Sequence, residues 1–211
     1  MKKAILFDLD GTLTDSGEGI MNCAKVALEH YGLPIPSETE LRTFVGPPLH
    51  ESFIRFGVPA EEAENAIKIY RSRYIPIGKF ENYPYDGIQQ VLQSLKDAGH
   101  TLYVATSKPE KMSIEILEHF GMAHYFDIIC GASMDLSRSS KSDVIAYLLR
   151  QCGEYEEKVM VGDTAFDVLG AKVHNIPTIG VAWGYGKVED MVDAGAVSIV
   201  YTMEELYEAL K

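Results

Sequence analysis

From residue 83 onward, short apolar runs alternate with longer stretches of helical periodicity, and few folds accommodate that order. It predicts helix Ile88–Ala98, strand Thr101–Ala105, helix Glu110–Phe120, strand Asp127–Cys130, helix Lys141–Cys152 and strand Lys158–Val161. Helix Phe166–His174, strand Thr178–Ala182, helix Val188–Ala194, strand Ser198–Tyr201 and helix Met203–Leu210 follow. Near the N-terminus Ala4-Ile5-Leu6-Phe7 reads as another strand, and its lack of polar alternation marks it as covered on both faces. Strands separated by helices pair in parallel, because each crossover needs a long connection. The expected fold class is therefore α/β, a Rossmann-like parallel sheet with helices on both faces.

Between the first strand and this array lies a predominantly helical stretch, from about Gly17 to Tyr74, broken by Pro34, Pro36, Pro47, Pro48 and Pro59 and without a strand pattern. Its first helix, Ile20 to Tyr31, carries Ile20, Cys23, Ala24, Ala27, Leu28 and Tyr31 at spacings of three and four and stops at Gly32. The stretch reads as an inserted all-helical cap, residues 15–82, in a catalytic core made of residues 1–14 and 83–211. Gly17, Gly19, Gly78 and the Tyr83-Pro84 junction mark its hinges.

Composition narrows the partners. Nineteen basic against thirty-one acidic residues give a net charge of −12, which repels nucleic-acid backbones and anionic membranes. No apolar run approaches a membrane span, and the opening run of four apolar residues is too short for a signal sequence, so a cytoplasmic protein is expected. Cys23, Cys130 and Cys152 are far apart and odd in number, which indicates neither a disulfide framework nor a zinc site. The six histidines show no paired spacing for a metal. Gly184-Tyr185-Gly186 lacks the third glycine of a dinucleotide fingerprint and reads as a flexible loop.

Ligands of open parallel sheets gather at the carboxyl ends of the strands. There the chain sets Asp8-Leu9-Asp10-Gly11-Thr12 after the first strand, Thr106-Ser107 after Leu102–Ala105, and Gly162-Asp163 with Asp167 after Val159–Val161. Lys141 opens a helix after Arg138-Ser139-Ser140. Each has an ordinary reading: Thr106 as a helix cap, Asp163 as a turn residue, Asp167 as a first-turn helix acid, Lys141 as a surface charge. Their joint placement at strand ends points instead to a divalent-cation or phosphoryl site.

In this order and at these distances, Asp8-x-Asp10-Gly11-Thr12, Thr106-Ser107, Lys141 and Gly162-Asp163-x-x-x-Asp167 resemble the four motifs of the haloacid dehalogenase (HAD) superfamily across essentially the whole chain. The helical insertion resembles its C1-type cap, and Phe44-Val45-Gly46-Pro47-Pro48-Leu49 is similar to cap segments of the phosphoglycolate-phosphatase-like branch. One departure is Ser142, where proline is frequent after the lysine.

The resemblance implies a Mg²⁺-dependent phosphatase of a small phosphorylated metabolite, a monomer or weak homodimer. A carboxylate can split phosphate-ester cleavage into two displacements, and Asp8 is the expected nucleophile. Asp10 is the expected acid and base, with Thr106 and Lys141 on the phosphoryl oxygens. The resemblance supplies Asp8, the Asp10 carbonyl and Asp163 as Mg²⁺ ligands, with Asp167 in direct or outer contact. Gly11, Thr12 and Ser107 complete the expected substrate-binding set, and Arg42 is the candidate reader of a leaving-group anion. Asp10 argues against dehalogenase and phosphonate-cleaving chemistry. A β-phosphoglucomutase-like phosphotransferase keeps both aspartates and stays open. A phospho-accepting receiver or a non-catalytic binding module is the alternative from another class.

Overall fold

The first strand shows why the chain folds around it. In β1 (Lys3–Phe7), Ala4, Ile5, Leu6 and Phe7 are all fully buried, and alternate side chains serve opposite faces of the sheet. The computed structural model describes residues 2–135 and 137–211. It divides them into two compact units, Met1–Thr14 with Pro84–Lys211, and Asp15–Tyr83.

After β1 come β2 (Thr14–Asp15), α1 (Gly17–His30), α2 (Glu38–Leu41), α3 (Leu49–Arg55), α4 (Ala63–Tyr74), β3 (Tyr83–Pro84), α5 (Ile88–Asp97), β4 (Thr101–Pro109) and α6 (Glu110–His119). β5 (Ile128–Ala132), α7 (Lys141–Leu149), β6 (Glu157–Gly162), α8 (Ala165–Lys172), β7 (Thr178–Val181), α9 (Val188–Ala194), β8 (Ser198–Val200) and α10 (Met203–Leu210) follow. No helix among the described residues is long and apolar enough to cross a membrane.

Six strands form one parallel sheet in the order β5-β4-β1-β6-β7-β8. Ile5 and Phe7 join a core with Ile88, Leu92 and Leu95 of α5 and with Leu206 and Leu210 of α10. Ala4 and Leu6 join another, with Val144, Ile145 and Leu148 of α7 and Ala171 of α8. The chain builds outward from β1 through β4 to β5, then returns to β6 on the opposite side of β1. That reversal opens a crevice at the carboxyl ends of β1, β4 and β6.

Element ends differ from the sequence expectation by a few residues: α1 starts at Gly17 instead of Ile20, and α7 ends at Leu149 instead of Cys152. The larger correction concerns β4, which runs on through Pro109 instead of ending at Ala105. Ala105 pairs with Cys130 and Pro109 with Ala132, so four steps along β4 face two along β5. The excess bulges at Thr106, Ser107 and Lys108, and a bulge re-aims the side chains it carries. The two-residue strands β2 and β3 were not anticipated; they pair with each other where the chain passes between the two units.

Within Asp15–Tyr83 the helices hold one another. Arg73 of α4 donates to both Glu81 carboxylate oxygens, at 2.6 and 2.7 Å, and to Cys23 Sγ of α1 at 3.3 Å. Phe44 stacks on Phe56 and meets Phe53 edge-on, and Phe53 meets Tyr70 of α4 edge-on.

Candidate active site

The last ladder bond of β1 is the Asp8 N–H to the Val161 carbonyl, 2.9 Å, and it places Asp8 at the mouth of the sheet beside β6. The chain then turns sharply: the N–H groups of Thr12, Leu13 and Thr14 all point at the Leu9 carbonyl, and Gly11 N–H reaches the Thr14 carbonyl at 2.8 Å. Gly11 makes the turn with φ +82°, and a Cβ there would lie 2.2 Å from Asp163 Oδ2. Glycine is required on both counts. The Thr12 hydroxyl donates to Asp163 Oδ1 at 3.2 Å, so the first motif and the strand β6 are joined by a side-chain hydrogen bond.

Asp163 is also held from the Gly184-Tyr185-Gly186 loop. The Tyr185 backbone N–H donates to Asp163 Oδ2 at 2.8 Å, and the Trp183 indole N–H donates to the Thr12 carbonyl at 3.3 Å. Gly184-Tyr185-Gly186 therefore forms a wall of the site.

Asp167 satisfies its ordinary reading as a first-turn helix acid and also faces Lys141. Its Oδ2 accepts from the Thr164 N–H at 3.0 Å and from the Thr164 hydroxyl at 2.8 Å, which caps α8. Its Oδ1 faces the Lys141 ammonium at 2.7 Å.

Lys141 enters at the first turn of α7. The substitution of serine for proline at position 142 does not loosen that entry, because Ser140 and Asp143 form a reciprocal capping box. The Lys141 Nζ lies 2.7 Å from Asp8 Oδ1 and 2.7 Å from Asp167 Oδ1, and donates to the Ala105 carbonyl at 3.0 Å. It thus makes two ion pairs and one hydrogen bond, and the residue is 5% exposed. The surface-charge reading of Lys141 fails on that burial.

The β4 bulge supplies the remaining groups. Thr106 is buried, and its hydroxyl accepts from the Lys108 N–H at 3.2 Å and works against the rise of the Asp8 carboxyl. Ser107 is exposed on the same bulge. Lys108, a residue sequence reasoning missed, donates to both Asp10 carboxylate oxygens, at 2.9 and 2.8 Å. Asp8, Asp10, Thr106, Lys141, Asp163 and Asp167 are thus brought together with Gly11 and Thr12. Arg42 belongs to the helical unit, where it stands exposed at the start of a 3-10 turn, Arg42–Phe44.

Charge in this cluster is unbalanced. Ligand oxygens of Asp8, Asp163 and Asp167 lie within 4.8 Å of one another, all buried. Burial pushes the Asp8 carboxyl up to about 6, with Lys141 opposing and Asp167 adding to the rise. Burial, then Asp167 and Asp8, push Asp163 well above the usual carboxylate range. Burial works against the charge on Lys141, but Asp167 and Asp8 outweigh it and hold the ammonium firmly protonated. One lysine does not neutralise three buried carboxylates. A donor set of hard oxygens in this arrangement fits a small divalent cation.

Carboxylates and a lysine gathered at the switch point of a parallel sheet stand where α/β enzymes hold their chemistry. The chain belongs to the haloacid dehalogenase-like hydrolase family, which it matches over residues 5–181. A relative named tyrosine-protein kinase PtkA, from Mycobacterium tuberculosis, is 46% identical over 210 residues, 98% of this chain and 72% of that protein. A Pseudomonas aeruginosa 5'-nucleotidase is 41% identical over 89% of this chain and 86% of its own length. A Caulobacter vibrioides phosphoglycolate phosphatase is 30% identical over 97% of this chain and 89% of its own length. Among solved structures, a predicted phosphatase from Clostridium acetobutylicum superposes with a TM-score of 0.93 at 44% identity, covering 100% of this chain and 98% of that one. The protein is a phosphatase of this family, a phosphoric monoester hydrolase.

Proposed function

We propose that the protein hydrolyses a small phosphomonoester in a Mg²⁺-dependent reaction through a phosphoryl group carried on Asp8. The observation that carries this reading is the setting of Asp8: buried at the strand end, 2.7 Å from Lys141, with Asp163 and Asp167 beside it. Asp8, the Asp10 carbonyl and Asp163 would hold Mg²⁺, with Asp167 beside them. When bound, Mg²⁺ supplies positive charge that draws the phosphoryl oxygens and the carboxylates together.

An Asp8 oxygen attacks phosphorus in line, and the bond to the leaving oxygen breaks with its electron pair passing to that oxygen. Asp10 gives it a proton. Water then attacks the phosphorus of the aspartyl-phosphate, Asp10 takes a proton back, and the Asp8 carboxylate is released with inorganic phosphate. Lys141 and Thr106 face the non-bridging oxygens, joined by Ser107 and by the Gly11-Thr12 backbone, where preorganised donors stabilise growing charge. The helical unit is the candidate cap that selects the leaving group, with Arg42 its candidate anion reader.

Phosphate release from a panel of nucleoside monophosphates, phosphoglycolate, sugar phosphates and pyrophosphate, with and without Mg²⁺, tests the reading and ranks the substrates. Mg²⁺-dependent release lost in Asp8→Asn is expected. Release that ignores either Mg²⁺ or this substitution contradicts it.

One observation favours a second acceptor: the relative named a tyrosine-protein kinase aligns over 98% of this chain. An aspartyl-phosphate could pass its phosphoryl group to a phenol instead of water. Transfer from ATP to a tyrosyl peptide, abolished by Asp8→Asn, would establish that route.

A further inference from the structure

The bulge in β4 does more than place Thr106. A four-residue step opposite a two-residue step lifts Thr106 and Lys108 out of the sheet together, toward two different carboxylates. Thr106 meets Asp8, and Lys108 meets both oxygens of Asp10 at 2.9 and 2.8 Å. Lys108 is enclosed nearly as fully as Lys141, its side chain 6% exposed against 4%, and against 16% for Asp10.

The far side of the bulge is fixed as well. Glu110 Oε2 accepts from the Gly131 N–H at 3.2 Å and from Arg138 at 2.9 Å, while Arg138 Nε donates to the Gly131 carbonyl at 2.7 Å. The Arg138 guanidinium in turn lies 3.8 Å over the Tyr147 ring. A lysine on a free surface loop would swing; this one is carried by a segment tied to the neighbouring strand and to α7.

A carboxyl group on a turn can rotate about its side-chain bonds, and a two-oxygen contact from one ammonium fixes the plane in which its oxygens lie. From this geometry we infer that Lys108 is a positioning residue: it orients the Asp10 carboxyl toward the leaving oxygen, separately from Lys141, which serves Asp8 and the phosphoryl group. The inference rests on the proposed acid and base role of Asp10. No bond to Lys108 forms or breaks. Asp10 gives its proton to the leaving oxygen and regains one from the attacking water.

Leaving groups of graded basicity read this role, because an ester of an acidic phenol needs no proton whereas an alkyl ester does. The experiment measures kcat/KM of wild type, Lys108→Met, Lys108→Arg, Asp10→Asn and the Lys108→Met/Asp10→Asn pair on 2,4-dinitrophenyl, p-nitrophenyl, phenyl and methyl phosphates, each protein first checked by thermal melting. Lys108→Met should lose on the order of 10²-fold on methyl phosphate and at least about tenfold less than that on the dinitrophenyl ester. Lys108→Arg should recover part of the alkyl-ester rate, and the double variant should be no worse than Asp10→Asn alone. Equal loss across the series, or additive loss in the double variant, with wild type active, would overturn this inference alone. A wild type inactive on every ester would overturn it together with the proposed function.

Discussion

The Lys141 ammonium stands 2.7 Å from the Asp8 carboxylate and is shared, at the same distance, with Asp167. The pair spans the two strand ends that the fold brings together, since Asp8 follows β1 and Asp167 lies just beyond β6. Removing Lys141 would leave buried carboxylates without their cation, a loss of about 3–5 kcal/mol in comparable cases. Lys141→Met should therefore lower the melting temperature strongly at neutral pH and cut turnover by roughly 10³-fold or more. Chemical denaturation of the variant across pH checks the cause: the deficit should shrink on acidification, as the carboxylates take up protons in place of the lost cation.

The raised Asp8 and Asp163 carboxyls set a pH dependence for metal binding. A carboxyl whose folded value lies above its unfolded one favours folding while protonated, so metal-free stability should fall as pH rises through about 6, the value for Asp8. Mg²⁺ binds the ionised forms and opposes that fall. The gain in melting temperature on adding Mg²⁺ should thus be small near pH 5 and larger near about pH 7.5. A gain independent of pH would contradict the carboxylate ligands.

In the helical unit, Arg73 holds the Glu81 carboxyl below the usual range through two hydrogen bonds. The sign is opposite to that of Asp8: the stabilisation is present above the unfolded carboxylate value and disappears as pH falls through the folded one. Glu81→Gln should cost about 1 kcal/mol at neutral pH. Urea titrations of both proteins should converge in acid.

A methyl group at Gly11 would meet Asp163 Oδ2 at 2.2 Å and would need φ +82° as well. Gly11→Ala should destabilise the protein by more than about 1 kcal/mol and weaken Mg²⁺-dependent turnover by roughly 10–100-fold, because the displaced group is a proposed metal ligand. Calorimetric Mg²⁺ titration of the variant separates the two effects.

The parts of the site carried by side chains with an obvious chemical purpose were legible in the sequence. Asp8, Asp10, Asp163 and Asp167 stand beside apolar runs whose strand character is plain from composition, and parallel topology then brings their ends together. Lys108 was not legible, because its meaning depends on a bulge that shifts the register of β4 against β5 and leaves no mark in hydrophobic periodicity. Tyr185 contributes through its backbone N–H, which no side-chain pattern reports. The strands β2 and β3 are two residues each, too short to show an alternation. Ser140 and Asp143, by contrast, form a capping box of recognisable spacing, a signal that could have fixed the entry of α7 before the structure was known.

The central claim is that Asp8 carries the phosphoryl group, and acid-quenched turnover followed by mass spectrometry of the peptide containing Asp8 tests it most directly. The account predicts a phosphoryl group on Asp8 during turnover with Mg²⁺, absent without substrate, and lost together with turnover in Asp8→Asn. Sustained turnover in Asp8→Asn, or a phosphoryl group found on another residue, would contradict it.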